Sequence, residues 1–234
     1  MKRFRTLILS VLALCGLTAA TAQTYKYESV AGDPTHTRIY TLANGLKVYL
    51  SVNKEKPRIQ TYVAVRTGSR NDPAETTGLA HYLEHLMFKG TRQFGTSDMA
   101  AEQPLLDSIE NRFEHYRHLT DPQQRTRYYA QIDSLSQLAA RYNIPNEYDK
   151  LMASIGSEGS NAYTSNDVTC YIENIPSNEL DNWARIQADR FQHMVIRGFH
   201  TELEAVYEEY NMGLANDGSK EFNALMAKLF PGHP

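Results

Sequence analysis

Cysteine is nearly absent: two residues, Cys15 and Cys170, occur in 234 positions. A disulfide-stapled scaffold is thereby excluded, because at most one pairing is available. A surplus of basic charge is also lacking. Twenty-four Lys and Arg stand against 27 Asp and Glu, and a formal charge of −3 provides no field that would draw in a phosphate backbone. Nucleic acid is therefore not an expected partner. Nine prolines and 13 glycines are too few for a collagen-like or low-complexity chain. What is present, 41% hydrophobic and 22% charged residues, suits one globular domain with a sizeable core or two small ones.

The first 22 residues stand apart from the rest. Lys2, Arg3 and Arg5 precede a mostly apolar run, Leu7 to Leu17, and Ala20-Thr21-Ala22 supplies a small-x-small cleavage pattern. This is the pattern of a secretory signal peptide, so an exported protein, periplasmic or secreted, is expected. The apolar run is about half the roughly 20 residues a bilayer span requires, so no transmembrane anchor is expected in the mature chain. Leu12-Ala13-Leu14-Cys15 loosely resembles a lipoprotein box, with bulky Leu14 where a small residue is wanted; anchoring at Cys15 is the minor alternative. Cleavage after Ala22 removes three of the 24 basic residues and no acid, leaving 21 against 27, a formal charge of −6. Cys170 is then the one remaining thiol. It lies in Val168-Thr169-Cys170-Tyr171-Ile172, where a buried small residue is the expected role.

Residues 23–36 read as an N-terminal extension and 37–234 as the domain proper. Thr37 to Leu42 and Leu46 to Leu50 alternate around Asn44-Gly45, predicting a β-hairpin, and Ile59 to Val65 predicts a third strand of an antiparallel sheet. From Thr77 the period becomes helical, with Leu79, Leu83, Leu86 and Met87 forming an aliphatic stripe that ends near Gly90. Two further helical segments fill 102–142, divided at Thr120-Asp121-Pro122, where Thr or Asp can cap and Pro suits the first turn. Their Arg, Gln, Glu and Tyr content fits a solvated hairpin. A short helix is expected over Glu147 to Ile155, a strand with a bend over Asn161 to Glu173, and helices over Leu180 to Met194 and Glu202 to Ala215, the last leaving through Asn216-Asp217-Gly218.

Chemistry concentrates in His81-Tyr82-Leu83-Glu84-His85. At about 100° per residue the aliphatic stripe clusters near one direction, and His81, Glu84 and His85 share the opposite face. Histidines at i and i+4 sit one turn apart, so both imidazoles can converge on one Zn²⁺. A carboxylate one residue before the second histidine lies beside the metal without binding it, which is where a general base for amide hydrolysis belongs. A catalytic zinc usually takes three protein ligands, and the richest acidic cluster is Glu202 to Glu209. Glu202 and Glu209 share one helix face, Glu204 and Glu208 another; periodicity selects a face and not a residue.

The reversed motif His81-x-x-Glu84-His85 is the inverzincin signature. Together with Phe88-Lys89-Gly90-Thr91, Asn161-Ala162-Tyr163-Thr164-Ser165, the pair Thr169 and Tyr171, and Glu202 to Glu209, the chain resembles the zinc metallopeptidase family of pitrilysin, insulin-degrading enzyme and mitochondrial processing peptidase. The resemblance covers nearly everything from Thr37 onward. It implies His81 and His85 as zinc ligands, Glu84 as general base, Glu209 as third ligand and Glu202 as a carboxylate orienting the site. It also implies Asn161 and Ala162 as substrate-binding residues on an edge strand that pairs with peptide backbone.

The implied architecture is α+β: an antiparallel or mixed sheet with helices packed on it, the zinc site on two helices, and an extra helical hairpin at about 102–148. The interval of 124 residues from His85 to Glu209 (209 − 85) exceeds that of most family members, and the surplus falls in that hairpin. The resemblance further implies a domain truncated at its C-terminal end, with a second domain or partner chain completing a chamber. A zinc-dependent endopeptidase acting on peptides or small proteins is the expected function. The alternative is a non-catalytic family member or partner subunit that binds zinc or peptide without turnover.

Overall fold

A computed structural model describes residues 25–232, so the expected signal peptide, with Cys15, lies outside the described residues. The chain divides into two compact units between Lys56 and Pro57. In the first, β1 (Arg38–Thr41) and β2 (Lys47–Leu50) pair antiparallel, from Arg38 opposite Leu50 to Thr41 opposite Lys47. Their turn closes where Gly45 N donates to Leu42 O at 2.9 Å, and Gly45 adopts φ +87°, which its missing Cβ permits.

The second unit contains an antiparallel sheet of β3 (Arg58–Val65), β4 (Glu158–Thr164) and β5 (Thr169–Pro176), in the order β3-β5-β4. The expectation that β3 extends the hairpin's sheet is not met; its ladder runs from Arg58 opposite Pro176 to Val65 opposite Thr169. The reason lies in β5. Thr169, Cys170, Tyr171, Glu173 and Ile175 are all buried, the profile of a central strand that needs a partner on each edge. Arg58 reinforces the long-range pairing by donating to Asn174 O at 2.7 Å and Gly156 O at 2.9 Å.

Helices follow in the order α1 (Leu79–Leu86), α2 (Met99–Tyr116), α3 (Pro122–Ala139), α4 (Glu147–Ser154), α5 (Leu180–His193), α6 (Phe199–Ala215) and α7 (Asp217–Leu229). The fold is therefore α+β, and the helical hairpin is α2 and α3. Asp121 caps α3 by accepting from Gln123 N at 2.9 Å, with Pro122 at the first helical position. Asn216 does more than end α6: its side chain accepts from Ser219 N at 3.1 Å and starts α7. None of the described helices is long and apolar enough to cross a membrane.

Phe94, Tyr148, Met152 and Ile175 form the core, with Ile59, Phe88, Leu151, Ile155, Trp183 and Ile186 packed around them. At its side lies a fully buried cation. Arg190 stacks against Phe88, Tyr148 and Tyr171 at 4.3, 4.4 and 4.5 Å from the ring centroids, and donates to Met87 O at 2.9 Å. The Tyr148 hydroxyl accepts from Arg190 and Gln187 and donates to Glu173 at 2.5 Å, so cation and anion are joined through one phenol. Burial pushes the Tyr148 pKa up, keeping its proton in place for that bridge.

A second buried charge fixes the connections around α1 and α6. Arg197 donates through Nε to both oxygens of Glu102 on α2, at 2.8 and 3.0 Å, and through its Nη atoms to Thr91 O at 2.8 Å and Lys89 O at 3.3 Å. The backbone must come close for this. A Cβ on Gly90 would sit 2.4 Å from Phe94 O, and one on Gly95 2.5 Å from Lys89 O, and both residues have positive φ.

The aliphatic stripe of α1 is only half buried. Leu86 and Met87 are buried, whereas Leu79 and Leu83 are 50% and 45% exposed; Ala80, Tyr82 and Glu84 are buried in their place. Contacts on either flank of the helix account for this: Tyr82 donates to Phe199 O at 2.6 Å on one side, and Glu84 meets β4 on the other. Replacing Glu102 with Ala strands the Arg197 charge inside the fold. The unfolding free energy should fall by about 3–5 kcal/mol in urea denaturation, whereas Glu114→Ala, an exposed position on the same helix, should stay within about 0.5 kcal/mol of the parent.

Candidate metal centre

Asp72 sets the start of α1. Its carboxylate accepts from Gly78 N at 2.7 Å and Ala80 N at 2.9 Å, satisfying backbone donors at the helix N-terminus where negative charge is favoured. The far end of α1 is held by the Arg197 contacts to Lys89 and Thr91. The histidine-bearing helix is thus anchored at both ends before any ligand is considered.

His81 and His85 lie one turn apart with their Nε2 atoms 3.3 Å from each other. Glu209, from α6, places Oε2 3.6 Å from each of them. Neighbouring donors around a tetrahedral zinc with bonds of about 2.05 Å are separated by about 3.4 Å, so this triangle already has the edge lengths of three such ligands. The donor set, two imidazole nitrogens and one carboxylate oxygen, is also one that zinc accepts. Among the described residues these three form a group whose ligand atoms all lie within 4.8 Å of one another. His81 and Glu209 keep 41% and 44% of their side chains exposed, which leaves the solvent side of the triangle open.

Glu202, seven residues before Glu209 on the same helix, meets His85 from behind. His85 Nδ1 and Glu202 Oε1 are 2.9 Å apart, an arrangement that puts the ring proton on Nδ1 and leaves the Nε2 lone pair toward the triangle. The second oxygen of Glu202 pairs with Lys89 Nζ. The carboxylate also acts on its other neighbour: burial first, and then the Glu202 charge, drive the Tyr82 phenol well above its ordinary range.

Glu84 stays outside the triangle. It is buried, and its Oε2 accepts from Thr164 Oγ1 at 2.6 Å. Among the described residues nothing donates to Oε1. Its negative charge also adds to the burial that pushes Tyr171 up to about 12. Asn161 and Ala162 lie on β4, opposite Ile172 and Tyr171 of β5, and the other edge of β4 carries no strand among the described residues. A register shift between Glu158 and Asn161 interrupts the ladder, so the regular part of this edge starts at Asn161.

The structure therefore brings together His81, His85, Glu209 and Glu202, sets Glu84 on the same helix turn, and puts Asn161 and Ala162 on the strand whose end touches Glu84. Asp72 and Arg197 are absent from the sequence reading, and Lys89 and Thr164 stand there only inside segments that carry the resemblance, with no role of their own. Asp72 is six residues before Gly78, too far for a local capping rule, and the other three act on residues distant in sequence.

Comparison with known proteins points to peptidases. Residues 47–133 match the family model described as insulinase, peptidase family M16. The chain is 37% identical over 98 residues to a probable mitochondrial-processing peptidase subunit beta of Arabidopsis thaliana, covering 42% of this chain and 17% of that protein. It is 25% identical over 175 residues to an uncharacterized zinc protease of Bacillus subtilis, 74% of this chain and 31% of that one. The crystal structure of pitrilysin superposes with a TM-score of 0.57 at 18% identity, over 90% of this chain and 18% of that one, a likeness of fold. The matched part is under a third of the length of each of these relatives. Residues 47–133 thus match the insulinase, or M16, peptidase family, and the chain is similar to peptidases over the parts compared.

Proposed function

We propose that this chain carries the metal site of a zinc-dependent endopeptidase. The observation that supports it most directly is the His81–His85–Glu209 triangle, open to solvent, with a carboxylate on the same helix that is not part of it. A zinc ion held there would polarise the scissile carbonyl and acidify water for attack. The chain's own residues do the rest. Glu84 takes the proton of the attacking water at Oε1 and delivers it to the departing amine nitrogen, with Oε2 held by Thr164. Glu202 fixes the His85 ring, and Lys89 fixes Glu202. The free edge of β4 at Asn161 and Ala162 hydrogen-bonds an extended peptide backbone, a mode that reads main chain and so admits varied sequences.

The same proposal includes export after cleavage at Ala22, and completion of the substrate chamber by a further domain or a partner chain. Exported protein should then begin at Gln23, as read by N-terminal mass spectrometry; an intact Met1 would remove the export reading.

Glu84→Gln should retain stoichiometric zinc while peptide hydrolysis by the complete protein falls at least 10²-fold, the lower range for loss of an acid–base group. Zinc bound with no hydrolysis by the unsubstituted protein, even with its completing domain, would instead identify a non-catalytic zinc-binding member. Glu202→Gln should weaken zinc by about 10–100-fold in chelator competition, and Glu209→Ala by more. Unchanged affinity in Glu209→Ala would move the third ligand elsewhere.

A further inference from the structure

We infer that Thr164 is a positioning residue for Glu84, tying the strand that holds substrate to the group that moves the proton; this rests on the peptidase reading above. Thr164 closes β4, three residues after Asn161 and two after Ala162, and pairs with Thr169 of β5. Along this stretch Asn161 and Tyr163 are exposed while Ala162 and Thr164 are half-buried, so the latter two share the sheet face turned toward α1. From that face the Thr164 hydroxyl reaches Glu84 Oε2 at 2.6 Å, across 80 residues of sequence.

A count of hydrogens fixes the direction of this bond. The buried Thr169 hydroxyl donates to Thr67 O at 2.9 Å, which commits its one hydrogen. Thr164 and Thr169 hydroxyls are 3.4 Å apart, much farther than Thr164 is from the carboxylate, so the Thr164 hydrogen goes to the anion. Glu84 is then bound at one oxygen and available at the other. A carboxylate on an unconstrained side chain presents either oxygen in several rotamers; with Oε2 held, one orientation remains and Oε1 is the working atom. Because the holding hydroxyl belongs to β4 itself, a peptide that adds to the Asn161–Ala162 edge is registered to the same strand that orients the base.

Thr164→Val keeps the β-branched shape and removes the donor, and Thr164→Ser keeps the donor. The first measurement is a thermal double-mutant cycle on the full chain without metal. Thr164→Val should lower Tm by about 5 °C when Glu84 is present and by little in a Glu84→Ala background. Equal losses in both backgrounds, or no loss, overturn the inference. The second is hydrolysis by the zinc-loaded complete protein. Thr164→Val should lower kcat by about 10²-fold with KM and zinc content unchanged, and Thr164→Ser should restore most of kcat. A raised KM at normal kcat, or Ser failing as badly as Val, overturns it by assigning the effect to substrate holding or strand packing. If the thermal coupling is present and the unsubstituted, zinc-loaded protein hydrolyses nothing, the peptidase reading fails and the positioning role fails with it, leaving the hydrogen bond as a fold contact.

Discussion

The guanidinium of Arg197 is the contact on which the geometry of the site depends. It lies two residues before α6, the helix that supplies Glu202 and Glu209, and it grips the backbone just beyond α1, the helix that supplies His81 and His85. The rigid planar fork therefore links the exit of the helix bearing His81 and His85 to the entrance of the helix bearing Glu209. Its buried charge is answered by Glu102 from α2. Glycine at positions 90 and 95 lets the loop approach closely enough to be gripped.

Arg190 uses a different solution to the same problem. It faces three aromatic rings, and Tyr148 passes its interaction on to Glu173, which also accepts from Ser157 at 3.0 Å and Ser160 at 2.5 Å. One end of this polar network reaches Met87, next to α1, and the other reaches the irregular start of β4. The helix with the histidines and the strand with the free edge are thus attached to one assembly of hydrogen bonds whose centre, Arg190, Tyr148 and Glu173, is buried.

What could be read from the sequence follows the range over which each signal acts. His81, Glu84 and His85 were legible because helical spacing alone puts them together, and the strands, the hairpin turn and the Asp121-Pro122 helix start rest on equally local rules. Glu209 needed the family resemblance, since two faces of its helix are equally acidic and nothing within the helix prefers one. The partnership of β3 with β5 was invisible because it depends on which distant strand is buried on both faces. Leu79 and Leu83 misled because a stripe states which side is apolar, while burial is decided by the neighbours that grip the flanks of the helix. Thr164 and Arg197 matter through contacts 80 and more positions away, where a single sequence carries no pattern.

The helical hairpin looks detachable by sequence, since it falls between the two halves of the metal site and its surface is polar. Its root is not. Glu102 and Tyr148, at its two margins, are both buried, one neutralising Arg197 and the other carrying the Arg190 bridge. A relative of this chain with a shorter connection would have to preserve those two anchors or find replacements for both charges. For anyone redesigning the connection, both margins are fixed by these charges, and between them Phe113 and Tyr129 pack on Phe199 and His200 at the start of α6.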